Sequence, residues 1–191
     1  MRSVLSALEV LRPKTLDQAL AALAGAEGAE RPIPMAGGTD LFVYLNAGTR
    51  SGRRYLDLQP LRELSKMELR RDAIGLGALV TFQEIRSHAA IQKSLPSLAA
   101  AAAEIGGLQI QHRATVGGNI ANASPAGDSL PVLLAHDATV IVRSRRGERE
   151  VPFDELYTGY RKLAIQPDEL IVAVTVPIPD RGAFPFFRKV G

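Results

Sequence analysis

Two pairs of glycines carry the first chemical hint in this chain: Ala36-Gly37-Gly38-Thr39-Asp40 and Ala114-Thr115-Val116-Gly117-Gly118-Asn119. Each follows a stretch that reads as extended. Consecutive glycines let neighbouring backbone N–H groups converge on one point, and without a Cβ they admit an anion close to the chain. The group that such a pattern suits is a pyrophosphate. Thr39, Thr115 and Asn119 add neutral donors able to orient phosphate oxygens without an arginine clamp. One pair alone reads more readily as a tight turn; two pairs, similarly flanked, put the turn and the phosphate cradle on an equal footing.

Further polar residues follow the second pair, in Asn122-Ala123-Ser124-Pro125-Ala126-Gly127-Asp128-Ser129. Asp128 suits a helix N-cap ahead of the apolar Leu130 to Leu134. Ser124 and Asp128 equally suit the hydroxyls of a ribose or ribityl chain, because a carboxylate accepts from two hydroxyls at once. By contrast, Gly75-Leu76-Gly77-Ala78-Leu79-Val80 only imitates the start of a dinucleotide fingerprint. Val80 replaces its third glycine, and no acidic residue ends a second strand about 20 residues on. It reads as a strand whose glycines relieve a crowded crossing.

Several chemistries are excluded. The three histidines, His88, His112 and His136, lack the spacing of a metal site, and no serine lies in a G-x-S-x-G turn. His112 and Arg113 read as surface residues, with a place beside a cofactor as the alternative. The absence of cysteine removes disulfides, thiolate metal sites, an intrinsic iron–sulfur cluster and thiol nucleophiles together. Any redox chemistry therefore needs a bound organic cofactor.

The elements that must position these residues come from a chain of 191 residues, 46% hydrophobic and 23% charged, which is enough for one or two small globular domains. The net charge of +3 is dispersed except at Arg143, Arg145, Arg146 and Arg149. Gly147, Glu148 and Glu150 lie in the same stretch, so it reads as an exposed hairpin tip and not as a nucleic-acid surface. Without tryptophan a base-stacking platform has little to be built from. No segment approaches the roughly 18 apolar residues of a membrane span, and Met1 to Val10 lacks a cleavage signal, so the cytoplasm is the default expectation.

Thr15-Leu16-Asp17-Gln18 reads as a capping box that opens a helix through Leu16, Leu20 and Leu23, stopping between Gly25 and Gly28. Pro32 and Pro34 bracket an extended piece before the first glycine pair, Leu41 to Leu45 reads as helical, and Tyr55 to Leu58 as a strand, together a βαβ-like unit. Met67 to Leu69 and Ala73 to Leu79 predict a hairpin turning at Arg70-Arg71-Asp72. Thr81-Phe82-Gln83-Glu84 is a second capping box for a short helix ending near His88, and Leu98 to Ile105 predicts a helix stopped by Gly106-Gly107. Ala138 to Arg143 and Glu169 to Val176 predict strands. The expected architecture is α+β, with a small N-terminal lobe over 1–58 and a strand-rich lobe over 59–191.

The string from Arg113 to Asp128 resembles the TxGGNxxxxSPxxD signature of the FAD-binding subunits of molybdenum hydroxylases such as carbon monoxide and xanthine dehydrogenases, and Ala36 to Leu41 resembles their AGGTDL loop. The resemblance covers essentially the whole chain, including Gly159-Tyr160-Arg161-Lys162 and Asp168 to Ile171. It implies the two-lobed fold shared with vanillyl-alcohol-oxidase-type (PCMH-type) flavoproteins, with FAD extended between the lobes. It further implies that Pro34, Ala36, Gly37, Gly38, Thr39, Asp40 and Leu41 bind FAD from the first lobe, wrapping the pyrophosphate. Ala114, Thr115, Gly117, Gly118 and Asn119 would approach from the second, and Ser124 and Asp128 would hold adenosine or ribityl hydroxyls. Ile171 is expected near the flavin, and Arg188 or Lys189 falls where relatives carry a basic residue near the isoalloxazine. Ile105 stands close to where some relatives stack an aromatic on the flavin, and relatives continue past Gly191 into a further C-terminal domain.

The function implied is a relay. Electrons come from a 2Fe–2S iron–sulfur subunit, itself fed by a molybdopterin-containing large subunit, and pass on to NAD, oxygen or a quinone; no residue is nominated as a general acid or base. Two other classes compete. A self-contained flavin oxidase would turn over an alcohol donor unaided, whereas a non-enzymatic assembly module would take up no FAD.

Overall fold

The computed structural model describes residues 8–49, 52–180 and 182–190. Strand β1 (Glu9–Leu11) leads to Thr15, whose hydroxyl accepts the Gln18 N–H at 3.3 Å and opens helix α1 (Leu16–Ala24). The expected capping box is half formed, since Gln18 Oε1 accepts from Lys14 N and not from Thr15 N. Strand β2 (Ile33–Met35) runs into the first glycine pair, helix α2 (Thr39–Asn46) follows it, and β3 (Arg54–Asp57) closes a parallel sheet of order β1-β3-β2. Parallel neighbours require crossover connections, and α1 and α2 lie in them.

The second sheet is antiparallel, of order β4-β5-β10-β6-β7. The predicted hairpin forms from β4 (Met67–Leu69) and β5 (Ala73–Gly77). Thr81 then makes a complete capping box with Glu84 and starts α3 (Phe82–Ser87), followed by α4 (Ala89–Ser94) and α5 (Pro96–Glu104), with a proline in the first turn of α5. Helices α6 (Leu108–Gln111), α7 (Val116–Asn122) and α8 (Leu130–Ala135) connect to the hairpin of β6 (Thr139–Ser144) and β7 (Gly147–Pro152). A short α9 (Phe153–Leu156), the small hairpin of β8 (Tyr157–Gly159) and β9 (Lys162–Leu163), and the central strand β10 (Leu170–Pro177) complete the order.

Two expectations change. The second glycine pair lies inside the first turn of α7 and not in a turn of its own, because Thr115 caps that helix by accepting the Gly118 N–H at 3.1 Å. Asp128 is not the N-cap of α8; Ser129 holds that position without a side-chain cap bond.

Strand β10 packs on both faces. Leu170 and Val172 join α1 and β3 in one apolar cluster, while Ile171, Val174 and Val176 join α3, α5 and α7 in the other. A strand of strict period two cannot send residues 171 and 174 to the same side. The irregularity in pairing with β6 between Ile171 and Ala173 supplies the extra residue that resets the phase. The first cluster also draws in Leu64 and Leu79, so one core is shared between the two sheets.

Candidate functional site

A cleft of about 680 Å³ opens between the segment Ile33–Tyr44 and residues of the second sheet and its helices. Its size lies within the range of small-molecule sites, about 300–1,000 Å³. On the first side, Gly38 adopts φ 76° and ψ 0°, a left-handed conformation suited to glycine, and turns the chain from β2 into α2. Among the described residues, no backbone N–H from Gly37 to Leu41 has an acceptor within the protein. The groups from Thr39 onward are the orphan donors of a helix N-terminus, where partial positive charge favours an anion.

The second glycine pair differs in kind. The Val116 N–H donates to Val80 O and the Gly117 N–H to Ala78 O, both at 2.9 Å, and that of Gly118 is taken by Thr115. What Gly117 and Gly118 contribute is proximity. A Cβ on Gly117 would stand 2.6 Å from Ala78 Cβ, and one on Gly118 would stand 2.9 Å from Thr115 Oγ1 and 3.6 Å from Ala36 Cβ. Gly37 closes the contact from the other side, since a Cβ there would lie 1.9 Å from Arg113 O. The two glycine motifs therefore press backbone against backbone at the root of the cleft. The side chains of His112 and Arg113 are exposed, as the surface reading expects.

The cleft gathers nearly every residue singled out from the sequence. Pro34, Ala36, Gly37, Gly38, Thr39, Asp40 and Leu41 line it from the first side. Ile105, Ala114, Thr115, Gly117, Gly118, Asn119, Ser124, Asp128 and Ile171 line it from the second. Arg188 and Lys189 do not; Lys189 reaches the rim only by pairing its ammonium with Asp128 Oδ2 at 3.0 Å. Ser124 accepts from Ala126 N at 3.3 Å, and Asn119 Oδ1 accepts from the buried Ser129 hydroxyl at 2.7 Å, which leaves the Asn119 amide nitrogen as its open donor.

Other lining residues carry no site role in the sequence reading, among them Tyr44, Gly106, Asn122, Gln166, Pro167 and Glu169. Gly106 signals only a helix stop in sequence, yet Gln111, 2% exposed, donates to Ala103 O at 3.0 Å and Gly106 O at 3.4 Å and accepts from Arg86 at 2.9 Å, fixing this part of the wall. The wall from Ile165 to Ile171 is held by the arginine-rich hairpin. Arg146 pairs with Asp168, and Arg149 forms two bonds to Glu169 at 2.7 and 2.8 Å. These hydrogen bonds, ahead of a smaller opposing effect of burial, hold both carboxyls below the ordinary carboxylate range. The basic cluster is a hairpin tip, as expected, and two of its four arginines are neutralised at the cleft wall.

The architecture recurs in solved oxidoreductases. It superposes on carbon monoxide dehydrogenase from Hydrogenophaga pseudoflava with a TM-score of 0.87 at 26% identity, covering 92% of this chain and 60% of that one. Quinoline 2-oxidoreductase from Pseudomonas putida 86 shares the fold, with a TM-score of 0.85. Nicotinate dehydrogenase FAD-subunit from Eubacterium barkeri is 32% identical over 185 residues, which are 95% of this chain and 62% of the relative. Xanthine dehydrogenase FAD-binding subunit from Escherichia coli O157:H7 is 37% identical over 144 residues, or 75% of this chain and 49% of the relative. Fold and cleft together define a two-lobed α+β flavoprotein domain. The chain belongs to the family of the FAD binding domain in molybdopterin dehydrogenase, whose profile matches residues 6–179.

FAD is thus the cofactor. The site fits it on structural grounds: unpartnered backbone donors suit a diphosphate, and the apolar residues Ile105, Leu79 and Ile171 offer a dry surface to a ring. The chain spans 49% and 62% of the lengths of the two curated relatives.

Proposed function

We propose that this chain is the FAD-binding electron-transfer subunit of a molybdenum-hydroxylase-type complex, passing electrons from an iron–sulfur subunit to NAD, oxygen or a quinone. Support for the cofactor half of this reading comes from the run of backbone donors without acceptors at Gly37 to Leu41, which lines the same cleft as Thr115, Gly117, Gly118 and Asn119. Support for the relay half comes from family membership and from relatives named as subunits of dehydrogenases. FAD, when bound, supplies the redox chemistry.

The protein's own residues bind and orient. The N–H groups of Gly37, Gly38 and Thr39 would hold the diphosphate at the start of α2, and the Thr39 hydroxyl would add a donor. Ala36 and Ala114, with one methyl each, and Gly117 and Gly118, with none, would leave this part of the cleft wall without long side chains. Asn119 would offer its amide, and Ser124 and Asp128 would take the sugar hydroxyls, with Lys189 balancing the Asp128 charge. Ile105 and Ile171 exclude water. Asp128 and Glu169 are each paired with a cation, Lys189 and Arg149.

Two measurements test the two halves. The purified full chain should take up FAD and show a flavin absorption spectrum; a colourless protein that gains none from excess FAD sinks the cofactor half. Pull-down from its native cells should recover an iron–sulfur protein and a molybdopterin protein. Turnover of an alcohol donor by the isolated flavoprotein would replace the relay with a self-contained oxidase.

A further inference from the structure

The cleft is closed a second time at the end far from the glycines. Helices α2 and α7 both start at the root, where the two motifs press backbone against backbone, and both line the cleft along their length. Tyr44 follows Thr39 by five residues, about 7.5 Å along the helix axis. Asn122 is the last residue of α7. The two meet there, as the Tyr44 hydroxyl donates to Asn122 Oδ1 at 3.4 Å. Arg161 joins them from a third element, donating from Nη1 to the Tyr44 oxygen at 2.8 Å. Its guanidinium also lies 5.8 Å from the Tyr44 ring centroid and 5.9 Å from that of Tyr160.

Arg161 sits in the turn between β8 and β9, and this hairpin leads directly into the cleft wall at Ile165 to Pro167. The base of the hairpin is fixed. Tyr157 donates its hydroxyl to Ile120 O of α7 at 3.1 Å and packs edge-on to Phe153, with ring centroids 5.6 Å apart. The tip is held differently. Arg161 is a non-glycine residue at φ 52°, a conformation disfavoured for a long side chain. Such a conformation persists when surrounding contacts determine it, and here those contacts are the two tyrosines. Arg161 is exposed, with no carboxylate within ion-pair distance among the described residues.

We infer that Arg161 is a positioning residue for the cofactor, acting through Tyr44 and Asn122 to clasp the far ends of α2 and α7 and so set how readily FAD leaves the cleft. The root is a permanent junction of main chain, whereas the clasp is a pair of side-chain bonds, one half-buried and one exposed, that can break and re-form. Its removal accelerates release while the donors at Gly37 to Leu41 stay in place. The inference rests on the FAD reading above.

The test is the rate of FAD release from the full-length holoprotein, followed by recovery of flavin fluorescence on dilution. Arg161→Gly is the informative variant, because glycine adopts φ 52° without strain and removes only the side chain. It should release FAD roughly five to ten times faster than the parent, the cost of about 1–1.4 kcal/mol expected for a hydrogen bond with a charged donor at an exposed site. Tyr44→Phe should do the same, and the double variant should be no faster than the quicker single, since the two substitutions break one clasp. Arg161→Lys should restore part of the retention. A hairpin that merely needed its turn would lose nothing in Arg161→Gly, so parental release by that variant overturns the inference and leaves FAD binding standing. Independent, multiplicative effects of the two single variants also overturn it. A parent chain that takes up no FAD sinks the functional reading and the clasp together.

Discussion

At Gly37 the outcome of adding one methyl is decided by main chain. The new Cβ would stand 1.9 Å from Arg113 O and 2.7 Å from Arg113 C, and neither atom can rotate away. Gly37→Ala should therefore destabilise the protein by about 1–3 kcal/mol or more, as overpacking does, read from chemical denaturation. Since the same change also parts the two motifs, it cannot separate folding from cofactor binding, which makes Gly37 a poor probe of the phosphate cradle alone. Gln111 presents the opposite case, a buried polar side chain fully engaged. Gln111→Leu keeps the size but leaves Ala103 O, Gly106 O and the Arg86 guanidinium without their partner. A loss of about 1–3 kcal/mol is expected, measured in the same way, with the wall at Ile105 and Gly106 loosened.

Two threonine caps separate scaffold from site at the scale of the element. Thr81 and Glu84 exchange bonds at the start of α3, and Thr115 holds Gly118 N–H at the start of α7. Each Thr→Ala change should cost about 1 kcal/mol of stability. Only Thr115 borders the cleft, so FAD titration should show weaker binding for Thr115→Ala and parental binding for Thr81→Ala. The loop that carries Asp168 and Glu169 supplies a pH prediction. Both carboxyls titrate below their unfolded values because Arg146 and Arg149 hydrogen-bond the ionised forms. The stabilisation is present above the unfolded values, near about pH 4, and is lost as pH falls through the folded ones. Thermal melts should thus show a fall in stability below about pH 4, with a shallower fall in Arg149→Met. The pairs are largely exposed on the arginine side, so the effect is small and shrinks with added salt. Elements with strong local signals were legible: the β4–β5 hairpin from its charged turn, α3 from its capping box, α5 from its alanines. The place of the second glycine pair was not, because a Thr cap followed by Gly-Gly reads equally as a turn until Val80 and Ala78 arrive to accept the N–H groups of Val116 and Gly117.

For the whole molecule, the two sheets share a core in which α1, β3, Leu79, Leu170 and Val172 pack together, and the cleft lies along this seam. A ligand that bridges the seam stabilises the folded state as a unit. At FAD concentrations about a hundredfold above its dissociation constant the added stability should reach about 2.7 kcal/mol, seen as a rise in melting temperature with FAD concentration. A melting temperature indifferent to FAD would contradict the seam as the cofactor's place.

By itself the sequence determined the cysteine-free redox chemistry, the α+β class, and two glycine motifs whose residues line the cleft, because these follow from composition and from signals within a few consecutive positions. Only the tertiary structure decided which of the two glycine pairs keeps its N–H groups free, since that depends on acceptors more than 30 residues distant at Ala78 and Val80. It also decided that Asp128 spends its charge on Lys189, that Tyr44, Asn122 and Arg161 meet, and that Ile171 and Val174 face the same side of β10. Each of these is a contact between distant parts of the chain or a phase shift in a uniformly apolar strand, and neither leaves a local pattern to read.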